Sequence, residues 1–303
     1  MPSKSNIIVT YALLVFIWST TPLAIVWSVA DLYPLWSLAF RFFLALPLAV
    51  CLLFLFKAKL PLDGRSIHSY IAGACSFIGS QIFTYAATNY LSSGIIALMF
   101  GLAPIMAGLI GHFAFQMKLH RLQWLGMLIA LVGLGIICVG GNNQHVQPMG
   151  IVLMLISVFV YSASIYWIKQ VNAPLESMSQ ATGSIVVSSV SALGMLPFIW
   201  QHAPDHMPNT QSLIGLVYAV IMASLLAMFC YFKLVKNVKA TTLSLTTVMT
   251  PMIAMIVGAL LNNEKLTLMV LFGAVILLFG LFVYFYKDLK ANRKLTRKVN
   301  AIR

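Results

Sequence analysis

The chain has 303 residues, of which 61% are hydrophobic and only 8% are charged. Soluble globular domains carry about 25% charged residues, so this composition excludes a protein that faces water on all sides. The formal net charge of +13 does not indicate a nucleic-acid binder, because the basic residues lie between apolar runs instead of on one solvated face.

Ten apolar stretches are predicted to be membrane-spanning helices, because each approaches the length of about 20 residues that crosses a bilayer. In chain order they are Asn6–Val29, Pro34–Phe56, Ile67–Thr88, Gly94–Phe115, Leu122–Gly140, Met149–Lys169, Met178–Trp200, Ser212–Val235, Thr241–Leu261 and Leu266–Tyr286. The first is expected to be a retained span, since it has no small-residue cleavage site typical of a signal peptide. The predicted fold class is an all-α integral membrane protein.

The loops predict that both chain termini are cytoplasmic. All but two of the 19 basic residues fall in alternate loops or in the carboxy-terminal tail. The two exceptions are Lys265, in a loop of the opposite set, and Arg41, inside the second span. The positive-inside rule assigns the basic loops to the cytoplasm. Arg41 is therefore predicted to lie within the membrane, a few residues from the non-cytoplasmic end of its helix.

The sequence contains an internal repeat of five spans. Pairs at one constant offset are Pro104 with Pro251, Gly126 with Gly273 and Gly133 with Gly280. The starts of the two units match more weakly, as "VFIWST" against "VFVYSA". The predicted division is residues 1–145, residues 146–287 and a basic cytoplasmic tail, 288–303. An odd number of spans inverts the second copy, and inverted repeats are typical of secondary transporters with a midplane substrate site.

Several motifs resemble those of a known family. The first span contains "FIWSTTP", the second "RFFLALP", and the last two "TP…NNEKLT…FGAVILLFG". In their order and spacing, over nearly the whole chain, they resemble the EamA branch of the drug/metabolite transporter superfamily. The resemblance implies a bacterial inner-membrane protein that moves amino acids or related metabolites, usually outward. One position departs from the family: the Glu that opens the fifth span is Met117 here, whereas its counterpart Glu264 is kept.

A polar track runs along the third span. Two rows with a spacing of four residues share one helix face: Ser76, Ser80, Thr84 and Thr88, beside Gln81, Tyr85 and Asn89. Such a face would be unsatisfied against lipid, so it is expected to contact protein or water. A solute pathway is favoured over helix packing, because Gln81 and Tyr85 are large and carry both donors and acceptors.

The predicted substrate-binding residues come from five spans. They are Trp18, Ser19, Arg41, Gln81, Tyr85, Tyr161, Tyr166 and Thr247. Pro104 and Pro251 are predicted to be bend points as the halves move, and unchanged transport after both are replaced by Ala would contradict this. Glu264 is placed with them as a hinge or structural residue. Small residues in the fifth span, Gly126 and Gly133 among them, suit close contact with another helix.

Arg41 is open to two interpretations. It lies about 10 Å from the outer end of its helix, at about 1.5 Å per residue, and could snorkel to Asp31 or bind free backbone carbonyls. Alternatively, it could bind a substrate carboxylate. The structural tie is favoured, because "RFFLA" resembles an element that recurs in the family across varied substrates.

The sequence offers no catalytic or coupling constellation. The six acidic residues lie in loops or at span ends, and no metal motif or cofactor site is found. A phosphorylated substrate would need several buried Lys or Arg, and a simple cation would need a buried carboxylate. Trp, Tyr, Gln, Ser and Thr instead suit a small neutral or zwitterionic solute with an apolar part.

The leading prediction is therefore a secondary transporter of such a solute that works by alternating access and is not an enzyme. A quaternary-amine or drug exporter, or a lipid flippase with the same fold, remains the alternative, and a membrane enzyme acting on lipids is less favoured. The expected partners are the small-molecule solute and membrane lipids, without nucleic acid. A monomer is compatible with the sequence.

Overall fold

The computed structural model describes residues 4–140, 146–238, 246–264 and 267–301. These residues form helices, and their only β pairing is an isolated bridge between Leu91 and Val146. The helices are α1 (Lys4–Ser28), α2 (Pro34–Leu55), α3 (Gly64–Ala74), α4 (Ser80–Ala87), α5 (Ser93–Phe100), α6 (Ala103–Phe115), α7 (Arg121–Gly140), α8 (Pro148–Val171), α9 (Ser177–Ile199), α10 (Thr210–Tyr218), α11 (Ala227–Asn237), α12 (Thr246–Leu261) and α13 (Leu268–Ala301). Two π-helical segments, Cys75–Gly79 and Ala219–Leu226, join α3 to α4 and α10 to α11.

Among the described residues, eight helical stretches are long and apolar enough to cross a membrane. They are Asn6–Ser28, Pro34–Leu55, Ser93–Phe115, Arg121–Gly140, Pro148–Val171, Ser177–His202, Thr210–Tyr231 and Leu268–Tyr286. The third predicted span is helical over 64–87 but is not among the eight, and its polar rows reduce its hydropathy. The ninth predicted span starts at Thr241, outside the described residues. The fold is that of an all-helical membrane protein.

The outward faces of these helices are apolar. Phe54, Leu260 and Phe198 are 75%, 73% and 82% exposed. Exposing such side chains to water would cost about 25 cal/mol per Å² of apolar surface, whereas hydrocarbon imposes no such cost. The exposed surface therefore fits lipid surroundings.

Helices α7 and α13 pack backbone to backbone. A Cβ on Gly133 would lie 2.4 Å from the backbone N of Leu277 and 2.7 Å from the carbonyl O of Gly273. A Cβ on Gly126 would lie 2.7 Å from the carbonyl O of Gly280. The residue number rises along one helix as it falls along the other, so the two run antiparallel. This confirms the prediction that the small residues of the fifth span serve close helix contact.

The fourth predicted span, expected as one helix over Gly94–Phe115, is broken in the structure. Helix α5 ends at Phe100, a turn follows, and α6 begins at Ala103 with Pro104 in its first turn. Proline has no N–H and is tolerated in a first turn, where that donor is unpaired anyway. A Cβ on Gly101 would lie 3.3 Å from Cγ of Pro251, so the break lies close to the other proline.

The last predicted span ends at Tyr286, as predicted, but the helix that contains it is longer. Helix α13 continues beyond the span to Ala301. The residues after Tyr286 include many Lys and Arg, which are good helix formers although they cannot enter the membrane. The end of the apolar run therefore marks the end of the span and not the end of the helix.

Candidate functional site

A cavity of about 150 Å³ lies between α1, α2, α5, α8, α12 and the two π-helical segments. Its polar and aromatic lining residues include Trp18, Thr21, Arg41, Ser76, Gln81, Phe100, Tyr161 and Thr250. Four predicted substrate-binding residues from four different helices, Trp18, Arg41, Gln81 and Tyr161, therefore share one cavity.

Several residues that line the cavity occupy positions that correspond to each other in the predicted sequence repeat. At the offset of Pro104 and Pro251, the pairs are Ser76 with Ala223, Gln81 with Met228 and Ala103 with Thr250. Trp18 and Tyr161 also align in the weaker match between "VFIWST" and "VFVYSA". In the first two pairs, the member from the first unit is polar and the member from the second is apolar. In the third pair the order is reversed, since Ala103 is apolar and Thr250 is polar.

The two π-helical segments occupy related positions. Cys75–Gly79 maps by the same offset into Ala219–Leu226, and both segments contribute to the cavity lining. In the second segment the hydroxyl of Ser224 donates to the carbonyl O of Ala219, five residues earlier, at 2.9 Å. π-helical turns are rare and occur frequently at functional sites. The sequence patterns do not reveal them, because each is a short segment inside a longer apolar helical run.

Arg41 reaches across the helix bundle. Its side chain is buried, with 5% exposed. Nε donates to the hydroxyl of Ser224 at 2.8 Å, while Nη1 lies 3.4 Å from Oε1 of Gln81 and 3.5 Å from the hydroxyl of Tyr85. The guanidinium thus links α2 to α4 and to the second π-helical segment. The predicted tie to Asp31 or to free carbonyls is replaced by these side-chain oxygens.

Three other predicted site residues, Ser19, Tyr85 and Tyr166, are not among the lining residues of the cavity. Ser19 is fully buried and its hydroxyl donates to the carbonyl O of Val15, within its own helix, at 2.7 Å. Tyr85 is fully buried behind Arg41. The hydroxyl of Tyr166 donates to the carbonyl O of Ala107 at 2.9 Å. The side chain of Thr247 lies outside the described residues.

Glu264 binds the amino-terminal end of α5. Its Oε1 accepts from the backbone N of Ser93 at 2.9 Å and from the Ser93 hydroxyl at 2.7 Å, and its Oε2 accepts from the backbone N of Gly94 at 3.2 Å. Nδ2 of Asn262 donates to the same carboxylate, and Oδ1 of Asn262 accepts from Nε1 of Trp27 at 2.9 Å. Hydrogen bonds therefore connect α1, the end of α12 and α5.

Asp31 lies in a separate polar cluster between two loops. Its Oδ2 accepts from the backbone N of Asn209 at 2.8 Å, and its Oδ1 lies 3.4 Å from Nε2 of His206. Nδ1 of His206 lies 2.6 Å from Oδ1 of Asp205. The hydrogen bonds to Asp205 and Asp31 raise the pKa of His206 above its usual value of 6.5. The cluster joins the α1–α2 loop to the loop before α10.

This cluster predicts a pH dependence of stability. Because the pKa of His206 is raised on folding, its contribution is full below pH 6.5 and is lost as the pH rises through the folded-state pKa. We expect the melting temperature advantage of the wild type over His206→Ala to shrink as the pH rises above 6.5 and through the folded-state pKa of His206. His120→Ala is the control, since its ring has no hydrogen-bonding partner in the described structure. An advantage that stays constant with pH would contradict the assignment.

A second, apolar cleft of about 500 Å³ lies between α2, α9 and the second π-helical segment. Leu48, Ile185, Ile221 and Phe229 are among its walls. Ser224 lines this cleft as well as accepting from Arg41, so their hydrogen bond joins the walls of the two cavities. Within the described ranges, no cluster of His, Cys, Asp and Glu is suited to a metal ion.

The chain matches the family described as the EamA-like transporter family over residues 6–139 and 148–286. It is 23% identical over 255 residues to the uncharacterized inner membrane transporter YedA of Escherichia coli K12, covering 84% of this chain and 82% of that protein. It is 26% identical over 219 residues to a probable amino-acid metabolite efflux pump of Salmonella typhimurium, covering 68% and 72%. One crystal structure superposes with a TM-score of 0.67 at 16% identity, covering 96% of this chain and 99% of the other, which shows a shared fold.

Proposed function

Because this chain belongs to the EamA-like transporter family, we propose that it is a secondary transporter that exports a small neutral or zwitterionic metabolite by alternating access. It is a multi-pass protein of a bacterial inner membrane, as its apolar helices and the names of its relatives indicate. The observation that carries the proposal is the cavity lined by Trp18, Arg41, Gln81 and Tyr161 in the interior of the helix bundle.

The proposed mechanism rests on two inverted halves that rock about this cavity. Three features support it: the antiparallel glycine contacts of α7 and α13, the paired lining positions, and the matched π-helical segments. All three relate residues of one half to residues of the other. Inverted repeats with a central site are the usual architecture for alternating access. The family match in two segments, one in each half, is consistent with this division.

The proposed hinges are at Pro104 and Pro251. The break between α5 and α6 directly precedes Pro104, and Pro251 lies inside α12 close to that break. A proline removes one backbone hydrogen bond, so the helix bends more easily there. Glu264 would hold the adjoining end of α5 while the hinge moves.

The solute class follows from the lining of the cavity. Among the described lining residues, Arg41 is the one cation, Ser76 and Gln81 are polar, and none carries a carboxylate. The aromatic rings of Trp18 and Tyr161 offer apolar contact. A single cation is too little for a phosphorylated sugar, which needs several. Export is proposed because two similar proteins are named as probable amino-acid metabolite efflux pumps.

Uptake by proteoliposomes containing the purified protein tests the proposed function. Radiolabelled amino acids, simple amines and a phosphorylated sugar are offered in parallel. We expect uptake of at least one amino acid above that of protein-free vesicles, and loss of about threefold or more in Gln81→Ala, since a neutral hydrogen bond is removed. Ser191→Ala is the matched control, because this hydroxyl bonds only within α9. Uptake limited to the phosphorylated sugar would contradict the proposal.

The apolar cleft favours a second candidate, a lipid flippase. The cleft is larger than the central cavity, and its walls suit an acyl chain. Translocation of a headgroup-labelled phospholipid in the same proteoliposomes, without amino-acid uptake, would favour this alternative. We rank it second because the polar groups of the central cavity would then have no solute to bind.

A further inference from the structure

Arg41 has no acidic partner. Within the described residues, no Asp or Glu oxygen lies within 4.0 Å of its guanidinium. The described carboxylates bind elsewhere: Asp31 and Asp205 contact His206, Glu264 binds α5, Asp63 accepts from Ser66, and Glu176 is exposed. Arginine stays protonated under all ordinary conditions. A full positive charge is therefore buried next to the cavity with no acidic side chain beside it among the described residues.

The guanidinium also keeps donors free for a ligand. Arginine has five N–H groups, and Nη2 makes no hydrogen bond in the described structure. Among the described residues, two polar side-chain atoms are both fully enclosed and without a hydrogen bond, the hydroxyls of Tyr11 and Thr182. Because Nη2 has no hydrogen bond and is not one of these two atoms, it is accessible. The two bonds from Nη1 are 3.4 and 3.5 Å long, at the weak limit of hydrogen bonding. Nη1 and Nη2 together form the edge that binds a carboxylate through two parallel bonds.

A purely structural role explains only part of this geometry. The short bond from Nε to Ser224 would hold the side chain in place by itself. Neutral oxygens compensate a buried charge poorly, and a buried charge without a partner is strongly unfavourable. If Arg41 served only to hold helices together, an acidic partner for its charge would stabilise the fold further. Its hydrogen-bonding partners are instead the neutral side chains of Ser224, Gln81 and Tyr85.

We propose that the solute carries a carboxylate, which binds Nη1 and Nη2 of Arg41 as the missing counter-ion. This rests on the proposed function, and it narrows the solute from neutral or zwitterionic molecules to those with a carboxylate. The apolar part of the solute contacts Trp18, Phe100 and Tyr161, which line the same cavity. Amines and quaternary amines without an acid group are excluded as good substrates, because Arg41 would repel them.

The test compares each apolar amino acid with its carboxamide, which keeps the side chain and the amino group but has no negative charge. Inhibition of amino-acid uptake into proteoliposomes is measured for both. We expect the wild type to prefer the acid by about tenfold or more, the usual effect of one charge-assisted bidentate pair. Arg41→Gln should lose this preference, and Arg41→Lys, which keeps a charge without the fork, should keep part of it. Arg65→Gln is the matched control, since Arg65 is exposed and binds the carbonyl O of Val171.

The outcomes separate this inference from the proposed function. Equal potency of acid and amide in the wild type would overturn the inference, even if Arg41→Gln failed to fold. Retention of the full preference by a folded Arg41→Gln would also overturn it. Absence of uptake for every acid and every amide would overturn the proposed function itself, and the inference with it.

Discussion

Gly133→Ala should destabilise the protein severely. Its new Cβ would lie 2.4 Å from a backbone nitrogen and 2.7 Å from a backbone oxygen of α13, and neither atom belongs to a flexible side chain. Helices α7 and α13 would have to separate along their contact, and overpacking of this kind costs about 3 kcal/mol. Thermal unfolding in detergent measures this loss. The monodispersity of the purified protein is measured as a second readout.

The matched control lies two residues away on the same helix. Nothing lies within 4 Å of the position of a Cβ on Gly135, so Gly135→Ala should leave the melting temperature equal or slightly higher. Gly280→Ala should repeat the damage from the other side, because its Cβ would lie 2.4 Å from the backbone N of Ala130. Equal melting temperatures for Gly133→Ala and Gly135→Ala would contradict the described packing of α7 against α13.

Glu264→Ala should produce the second-largest loss. The carboxylate accepts hydrogen bonds from two backbone N–H groups, one hydroxyl and one amide. Hydrogen bonds to a charged group contribute about 1.5–3 kcal/mol, and the positive end of a helix adds a further favourable interaction. We expect a loss of about 3 kcal/mol in unfolding free energy, measured by thermal or denaturant unfolding in detergent.

Glu176→Ala is the control for this experiment. Glu176 also precedes a helix, but its side chain is exposed and makes no capping hydrogen bond. Glu264→Gln should lie between the two, since an amide keeps one acceptor oxygen. An unfolding free energy for Glu264→Ala equal to that of Glu176→Ala would show that the network from Trp27 to Ser93 does not stabilise the fold.

Most of the helices could be predicted from the sequence because membrane spans leave a strong signal. Apolar runs near the bilayer length gave bounds within a few residues for most helices, such as Pro34–Leu55 and Pro148–Val171. Pro104 was predicted to be a bend point, and the turn between α5 and α6 directly precedes it. The π-helical segments escaped prediction, because no apolar pattern indicates them. The continuation of α13 past Tyr286 escaped because the apolar run ends there while good helix formers continue.

Four of the predicted site residues meet in the cavity because they are large, polar or aromatic, and deep in their spans. Serine and threonine are harder to assign, since their hydroxyls can bond to the carbonyl four residues earlier, as that of Ser19 does. Thr250 lines the cavity, although its position directly before Pro251 gives no sign of this in the sequence. The sequence singles out Arg41 as a charge inside a span, but its partners lie far away in sequence, and no local pattern reveals Ser224.

Met117, which stands where the family has Glu, can be compared with Glu264 at the related position of the other half. Glu264 binds Ser93, and at the repeat offset these two positions become Met117 and Ala240. The acidic acceptor and the hydroxyl donor are thus both absent from the related position in the other half. Residue 240 lies outside the described ranges. In sequence, the predicted repeat is therefore asymmetric at these two positions.

Two-sided access to the central cavity tests the account most directly. Ala97, which lines the cavity, is replaced by Cys in a chain whose four native cysteines are replaced by Ala. A membrane-impermeant thiol reagent, applied from either side of the vesicle, should label Ala97→Cys, and the transported solute should slow that labelling. Met207→Cys, which is exposed in the loop before α10, is the control for protection, because the reagent can reach it while the solute binds elsewhere. Labelling from one side alone, or labelling that the solute leaves unchanged, would contradict a central cavity that opens alternately to the two sides.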